Sequence, residues 1–292
     1  VESMIIHLYS NGMTTEEISR MIEKMYGHHY TKQTVSNITA AVVGDIQAFN
    51  RRGLSKRYAV IYLDATYLPV RRDTVTKEAL YFALGITPEG YKEILSYSLF
   101  PTESAHNWEI ILSDLRVRGL EESLLFVTDG LTGIKDAISN VFPKARHQSC
   151  WVHLARNVSH GVRVKDRTEV LSDLKSVYTQ ESVEAVEEKL ATFIQTWHKK
   201  YPKVTDKFKD NSSLFTFLSF PKEIRASIYT TNLIEGFNKH LKRYTKRKEQ
   251  FPNEDSLSRF IGTYAGGYNQ RFQMRFHKGF KLFTAELNEM FN

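Results

Sequence analysis

A single cysteine, Cys150, stands in a chain of 292 residues, so no internal disulfide can form, and the expectation is a reducing, cytoplasmic setting. No run of eighteen apolar residues occurs, and no segment therefore reads as a membrane span. The first residues have no basic start followed by an apolar core, so no signal peptide is legible. The chain opens on Val1 rather than methionine, which points to a fragment. With 15 glycines and 7 prolines it is rich in neither, which argues against long disorder. What is present is a globular composition, 41% hydrophobic and 25% charged, long enough for one large domain or two ordinary ones. The net charge of +7 directs attention to a polyanion such as nucleic acid.

The first fifty residues carry helical punctuation. Met4, Ile5, Leu8 and Tyr9 recur at helical spacing and stop at Ser10-Asn11-Gly12. Thr14 with Glu17 forms a capping box for a second helix, whose apolar stripe is Ile18, Met21, Ile22 and Met25. After the turn Tyr26-Gly27-His28-His29, a third helix from Thr31 turns Val35, Ile38, Val42 and Ile46 inward. Residues 1–52 thus read as a small helical, helix-turn-helix-like domain offering Lys32 and Gln33 to DNA. A prefix that merely packs on the next domain fits the same pattern, because the third helix is only weakly basic.

From Tyr58 to Pro69 the period turns extended, and one bare carboxylate, Asp64, lies within an apolar, β-branched and aromatic run. Burying it unpaired would cost several kcal/mol, so it requires a partner. A turn at 71–74, a strand over 79–87, the turn Pro88-Glu89-Gly90 and a strand over 91–100 complete an antiparallel meander. A helix over 105–118 follows, with Trp108, Ile111, Leu112 and Leu115 on its buried face. Ser123 to Gly130 then reads as a buried parallel strand ending on Asp129 and Gly130. A helix over 133–140 and a short strand over 145–149 close this part. Residues 154–229 turn wholly helical, with Val183, Val186, Leu190, Phe193, Ile194 and Trp197 as one buried stripe.

The helix after Thr230 carries the clustered positive charge. Ile234, Phe237, Leu241 and Tyr244 share one side, while Glu235, Lys239, Lys242 and Lys246 form a second stripe with Asn238 beside it. A carboxylate heading a line of lysines reads as a metal ligand on a helix that also holds a phosphate backbone. Asn232 and Glu235 also match a capping box, and the two readings predict the same residue. Cys150-x-x-His153 has half of a zinc spacing, but a structural site needs four ligands, and packing beside the carboxylates is the better expectation. Near the C-terminus, Tyr264, Tyr268, Arg271, Phe272, Arg275 and Phe276 could stack bases, although aromatics at helical spacing are more often core.

The order strand, strand, strand, helix, strand, helix, strand resembles the ribonuclease H fold, in which the first and fourth strands lie side by side and would bring Asp64 to Asp129. Taken together, Leu63-Asp64-Ala65, Val70-Arg71, Trp108, Arg118-Gly119-Leu120, Val127-Thr128-Asp129-Gly130, Cys150-Trp151-Val152-His153, and Thr231-Asn232 through Ile234-Glu235, Asn238 and Arg243 resemble the mutator-type bacterial insertion-sequence transposases of the DDE class. The resemblance implies a mixed five-stranded α/β core over 57–153 and 230–292, interrupted by an all-helical insertion domain at 154–229. It implies Asp64, Asp129 and Glu235 as catalytic residues holding two Mg²⁺ or Mn²⁺ ions, with Cys150, His153 and Asn232 in support. Asn238, Lys239, Lys242, Arg243 and Lys246 would hold double-stranded DNA. It further implies hydrolysis and 3′-hydroxyl strand transfer at transposon ends, a homodimer and a nucleoid-associated location. A nuclease that cuts without joining, or a non-catalytic DNA-binding regulator, remains the alternative.

Overall fold

The computed structural model describes residues 2–292 except His28, His29, Arg72, Asp73, Asn211, residues 247–250 and Pro252. The turns expected at 26–29 and 71–74 thus fall partly outside the described residues, as do Arg247 and Lys248 beyond the basic helix. Helices α1 (Glu2–Ser10) and α2 (Thr15–Tyr26) form where their apolar spacing places them. The capping box closes: Thr14 Oγ1 accepts from the Glu17 amide at 3.2 Å, and Glu17 accepts from the Thr14 amide at 2.8 Å. The third helix does not run through Ile46 as the spacing predicts. It divides into α3 (Lys32–Ala40) and α4 (Val43–Arg51). Adjacent β-branched Val42 and Val43 followed by Gly44 are poor helix formers. The break also lets Ile46 lie so close to Gly262 that a Cβ added there would fall 2.7 Å from Ile46.

The run around Asp64 becomes strand β1 (Arg57–Arg71), with Tyr58 to Leu63 almost wholly buried. It pairs antiparallel with β2 (Val75–Ile86), which in turn pairs antiparallel with β3 (Lys92–Phe100). The β1–β2 hairpin is longer than predicted, since its far end gains a partner: Phe251 bonds to the backbone of Pro69 and Arg71. Helix α5 (Ala105–Val117) crosses over to β4 (Glu122–Thr128), which lies parallel to β1. Helix α6 (Ile134–Val141) then leads to β5 (Arg146–Ser149), parallel to β4. The result is a mixed five-stranded sheet in the order β3-β2-β1-β4-β5.

Each face of the sheet has its own cover. On one side Trp108, Ile111, Leu112 and Leu115 of α5 and Ile134 and Ile138 of α6 pack on Tyr58, Ile61, Leu63, Tyr81 and Phe126. Trp108 meets Tyr81 edge to face at 4.7 Å, which places it in the core as expected. Most described residues from 151 to 228 are helical, in α7 (Trp151–Gly161), α8 (Arg167–Tyr178), α9 (Val183–Trp197), α10 (Pro202–Thr205) and α11 (Lys222–Ile228), with turns and short 3₁₀ segments between α10 and α11. In α9, Val186, Leu190, Phe193 and Trp197 are buried, whereas Val183 at its first position is exposed. The second sheet face meets α12 (Asn232–Thr245) and α13 (Glu254–Phe272), with α14 (Lys278–Leu282) and α15 (Thr284–Glu289) ending the chain. Val60, Tyr62, Leu68 and Val70 share one continuous core with Phe237, Leu241 and Phe260 and with Ile5, Ile18, Ile22 and Val35 of the N-terminal helices. Tyr264 and Tyr268 pack on Phe237 at 5.1 and 5.0 Å, so these two aromatics are core, while Arg271, Arg275 and Phe276 are exposed.

Two consequences are measurable. Gly12 has φ +89°, and an added Cβ would fall 2.7 Å from the Tyr244 carbonyl, where the N-terminal turn meets α12. Gly12→Ala should therefore cost about 2 kcal/mol or more, read as a lower urea midpoint at unchanged slope. On β5, His147 Nε2 lies 2.9 Å from Thr128 Oγ1, its Nδ1 is buried without a partner, and burial, aided by Lys135, pushes its pKa down to about 4. The unfolded chain takes up this proton near pH 6.5 and the folded chain only near 4, so stability falls as the pH drops between those values. In a pH series of unfolding curves, His147→Gln should remove about 2 kcal/mol of that acid loss.

Candidate active site

The β1–β4 ladder ends at Tyr62 opposite Val127. Continuing that register by two residues sets Asp64 level with Asp129, which directly follows the last residue of β4. Strand order thus creates the pairing: only because β1 and β4 are adjacent and parallel do carboxylates 65 positions apart meet at one sheet end. Asp64 alternates onto the face of Tyr62 and Thr66 and is 8% exposed. Burial, then the neighbouring Asp129 and Glu235 carboxylates, push its pKa up to about 7, against the opposing hydrogen bond from Asn238.

Helix α12 supplies that bond. Ile234, Phe237 and Leu241 bury its apolar stripe, and this rotation aims Asn238 at the strand, where Nδ2 donates to Asp64 Oδ2 at 2.7 Å. Asn238, expected at the DNA-facing side, is buried with its amide donating to Asp64, while it still lines the cleft. Among the described residues its buried Oδ1 has no hydrogen-bond partner. Lys239, Lys242, Arg243 and Lys246 are exposed along the same helix. Together with Asp64, Thr66, His153, Arg156, Glu235 and Asn238 they line a cleft of about 500 Å³. Asp129 does not line it.

Glu235 is not a helix cap. The N-cap of α12 is Thr231, without a side-chain cap bond, so Asn232 is the first helical residue and is exposed. The Asn232–Glu235 capping box is thus absent. Instead the carboxylate is held from α7, with Arg156 donating to both of its oxygens at 3.0 Å and His153 Nε2 lying 2.9 Å from Oε1. Burial alone would raise the pKa of Glu235, but Arg156 and His153 outweigh it and bring it below the usual range. Cys150, the N-cap of α7, is buried, and its Sγ accepts from the amide and hydroxyl of Thr231 at 3.2 Å. Burial would raise the thiol, but hydrogen bonds from His153 and Thr231 more than offset it. The Cys150–His153 pair thereby fastens the start of α7 to the start of α12.

Asp64 feels the charge of both Asp129 and Glu235. Among the described residues, however, no group of three or more His, Cys, Asp or Glu side chains is set as a metal cage. Lys32 and Gln33 are exposed on α3 but engaged locally: Lys32 pairs with Glu16 at 2.8 Å and Gln33 bonds to Asn37 at 2.9 Å. Sequence reasoning missed Arg156, although its spacing of three from His153 on a helix was a usable signal. It also missed Glu103, whose pKa burial and then Asp129 push up. No pattern marks that residue.

With the geometry in view, similarity to known proteins becomes interpretable. A family profile described as "Transposase, Mutator family" matches residues 1–274. The chain is 43% identical over its whole length to the transposase for insertion sequence element IS905 of Lactococcus lactis subsp. lactis (strain IL1403), covering 75% of that protein. It is 44% identical over 92% of its length to the transposase for insertion sequence element IS1201 of Lactobacillus helveticus, covering 73% of it. Identity to the transposase for insertion sequence element IS256 in transposon Tn4001 of Staphylococcus aureus is 26% over 88% of the chain. On the profile match over residues 1–274 and these identities, the chain belongs to the Mutator family of transposases.

Proposed function

We propose that this chain is the catalytic part of a DDE-class insertion-sequence transposase, which cuts DNA at transposon ends and joins the resulting 3′-hydroxyl to a target strand. The observation that carries this reading is a buried Asp64 together with Glu235 in one cleft whose wall is a helix of exposed cations, with Asp129 close enough behind Asp64 to act on its charge. Such a cleft suits a phosphodiester, since the cations neutralise the backbone and the acids lie where it would enter. The strand order, with parallel β1 and β4 side by side, supports a ribonuclease H-like core, and the helical stretch 154–229 fits an insertion domain within it.

The donor set fits Mg²⁺ or Mn²⁺. The ligands on offer are hard carboxylate oxygens, Asp64 is buried beside two further carboxylates, and Asn238 Oδ1 is a buried acceptor lacking a donor. Asp64 and Asp129 would hold the ions, with Glu235 completing the set once it leaves Arg156. Two bound ions would supply Lewis-acid activation of the attacking hydroxyl and stabilise the leaving oxygen. The protein itself contributes position. Asn238 fixes the Asp64 carboxylate, the sheet fixes Asp64 against Asp129, and Lys239, Lys242, Arg243 and Lys246 hold the phosphate backbone in register.

Incubating the protein with DNA ends and Mg²⁺ or Mn²⁺ should yield nicked and joined products, both abolished by a chelator. Asp64→Asn should lower both by roughly 10³-fold or more while leaving DNA affinity within about twofold. It should also make the fold more stable, by about 1–3 kcal/mol at pH 8, because a buried charge repelled by two others is removed. Nicks without joined products would favour a nuclease. Activity retained by Asp64→Asn would sink the site assignment.

A further inference from the structure

Glu235 cannot offer both of its oxygens to a metal ion while the Arg156 fork holds them. Arg156 spans both of its oxygens, so the acid that the proposed chemistry needs is occupied by a guanidinium. That guanidinium is a poor candidate for a permanent structural pin. Its side chain is 52% exposed against 23% for Glu235, and it lines the same cleft as Lys239, Lys242, Arg243 and Lys246. Water screens a pair this open, which weakens its hold. A phosphate presents the same two-oxygen geometry to the arginine fork as a carboxylate does, at similar or greater strength. Exchange of Arg156 from Glu235 to a phosphate held in the cleft is therefore close to energetically neutral.

We propose that Arg156 is a positioning residue that latches Glu235 in the DNA-free protein and releases it by moving its fork onto a DNA backbone phosphate. The inference rests on the reading of the cleft as the seat of DNA. Helix α7 is suited to the exchange. Its N-cap, Cys150, stays bonded to Thr231 and His153 stays against Glu235, so the arginine side chain can swing without the helix shifting. On release, Glu235 keeps its contact with His153, and Thr231 Oγ1 lies 3.4 Å from Oε1, within reach of the same hydroxyl proton that otherwise goes to Cys150 Sγ. The carboxylate thus becomes available only when backbone phosphate is already in place, which would couple readiness for chemistry to occupancy of the cleft.

The test is binding of a short DNA duplex by the full chain across a salt series, without divalent ions, comparing wild type, Arg156→Gln, Arg156→Lys and Lys242→Gln. Arg156 on a phosphate releases counterion, so Arg156→Gln should weaken binding by about fivefold near 0.1 M salt and flatten the log–log salt slope by about one. Arg156→Lys, which keeps the charge and loses the fork, should keep the slope. Circular dichroism should show all four proteins folded, since Arg156 is exposed and Glu235 retains two other partners. If Lys242→Gln flattens the slope and Arg156→Gln does not, Arg156 stays on Glu235 and the exchange is overturned while the cleft remains the DNA site. If neither variant changes the slope, both readings fall together. A second measurement addresses the latch: titrated with Mn²⁺ in the absence of DNA, Arg156→Gln should bind the ion about tenfold tighter than wild type, because Glu235 is free. Equal Mn²⁺ affinities would overturn the latch.

Discussion

A carboxylate set into the central strand of the sheet must be compensated by something, and in this chain the main compensation is a single amide, followed by the charge of His153. Asn238 reaches Asp64 at 2.7 Å and donates one hydrogen bond, which lowers the cost of the charge without cancelling it. Much of the architecture can be traced to the delivery of that amide. Helix α12 must lie across β1 with Ile234, Phe237 and Leu241 inward, since a rotation of one residue would carry Asn238 away from the strand. In turn α12 is held by α13 through Phe237 with Tyr264 and Tyr268, and by the N-terminal turn at Gly12.

An amide is also the partner that leaves the carboxylate usable. An arginine in that place would neutralise Asp64 and hold its oxygens, as Arg156 does for Glu235. Asn238 keeps the side chain oriented while its charge remains only partly compensated, and the nearest acids, Asp129 and Glu235, raise the electrostatic cost further. The strand therefore stores an unfavourable interaction at the end of a rigid sheet. Such storage is common where a site requires a ligand to complete it, and it sets the stability of the fold against the function of the cleft.

The sheet was legible because its signals are local. β-branched and aromatic residues around Asp64, Pro88-Glu89-Gly90 between two strands, and a short apolar run ending on Asp129 each follow from backbone preference and burial. The α12 stripe was legible for the same reason, since 3.6-residue periodicity sorts Ile234, Phe237 and Leu241 from Lys239, Lys242 and Lys246. Side-chain commitments across elements were not. Asn238 lies at the border of the two stripes, so periodicity alone could not decide whether it faces the strand or the cleft. Arg156 is separated from Glu235 by 79 residues, and nothing local to either marks the other. The division between α3 and α4 was missed because inward-facing Val42 and Ile46 continue the helical period, while the packing of Ile46 against Gly262, which favours a break, is a tertiary demand.

The two acids therefore stand in different electrostatic positions although they face one cleft. Asp64 is fixed by a neutral donor and lies on a strand that cannot move without disturbing both cores. Glu235 is fixed by cations, one of them half exposed, on the first turns of a helix whose preceding residue, Thr231, is tied to Cys150. Rigidity is thus concentrated at Asp64, and adjustability at Glu235. A site built in this way keeps one ligand position constant and lets the state of the cleft set the other, because the charge compensating Glu235 is half exposed whereas the bond orienting Asp64 is buried at the base of the cleft.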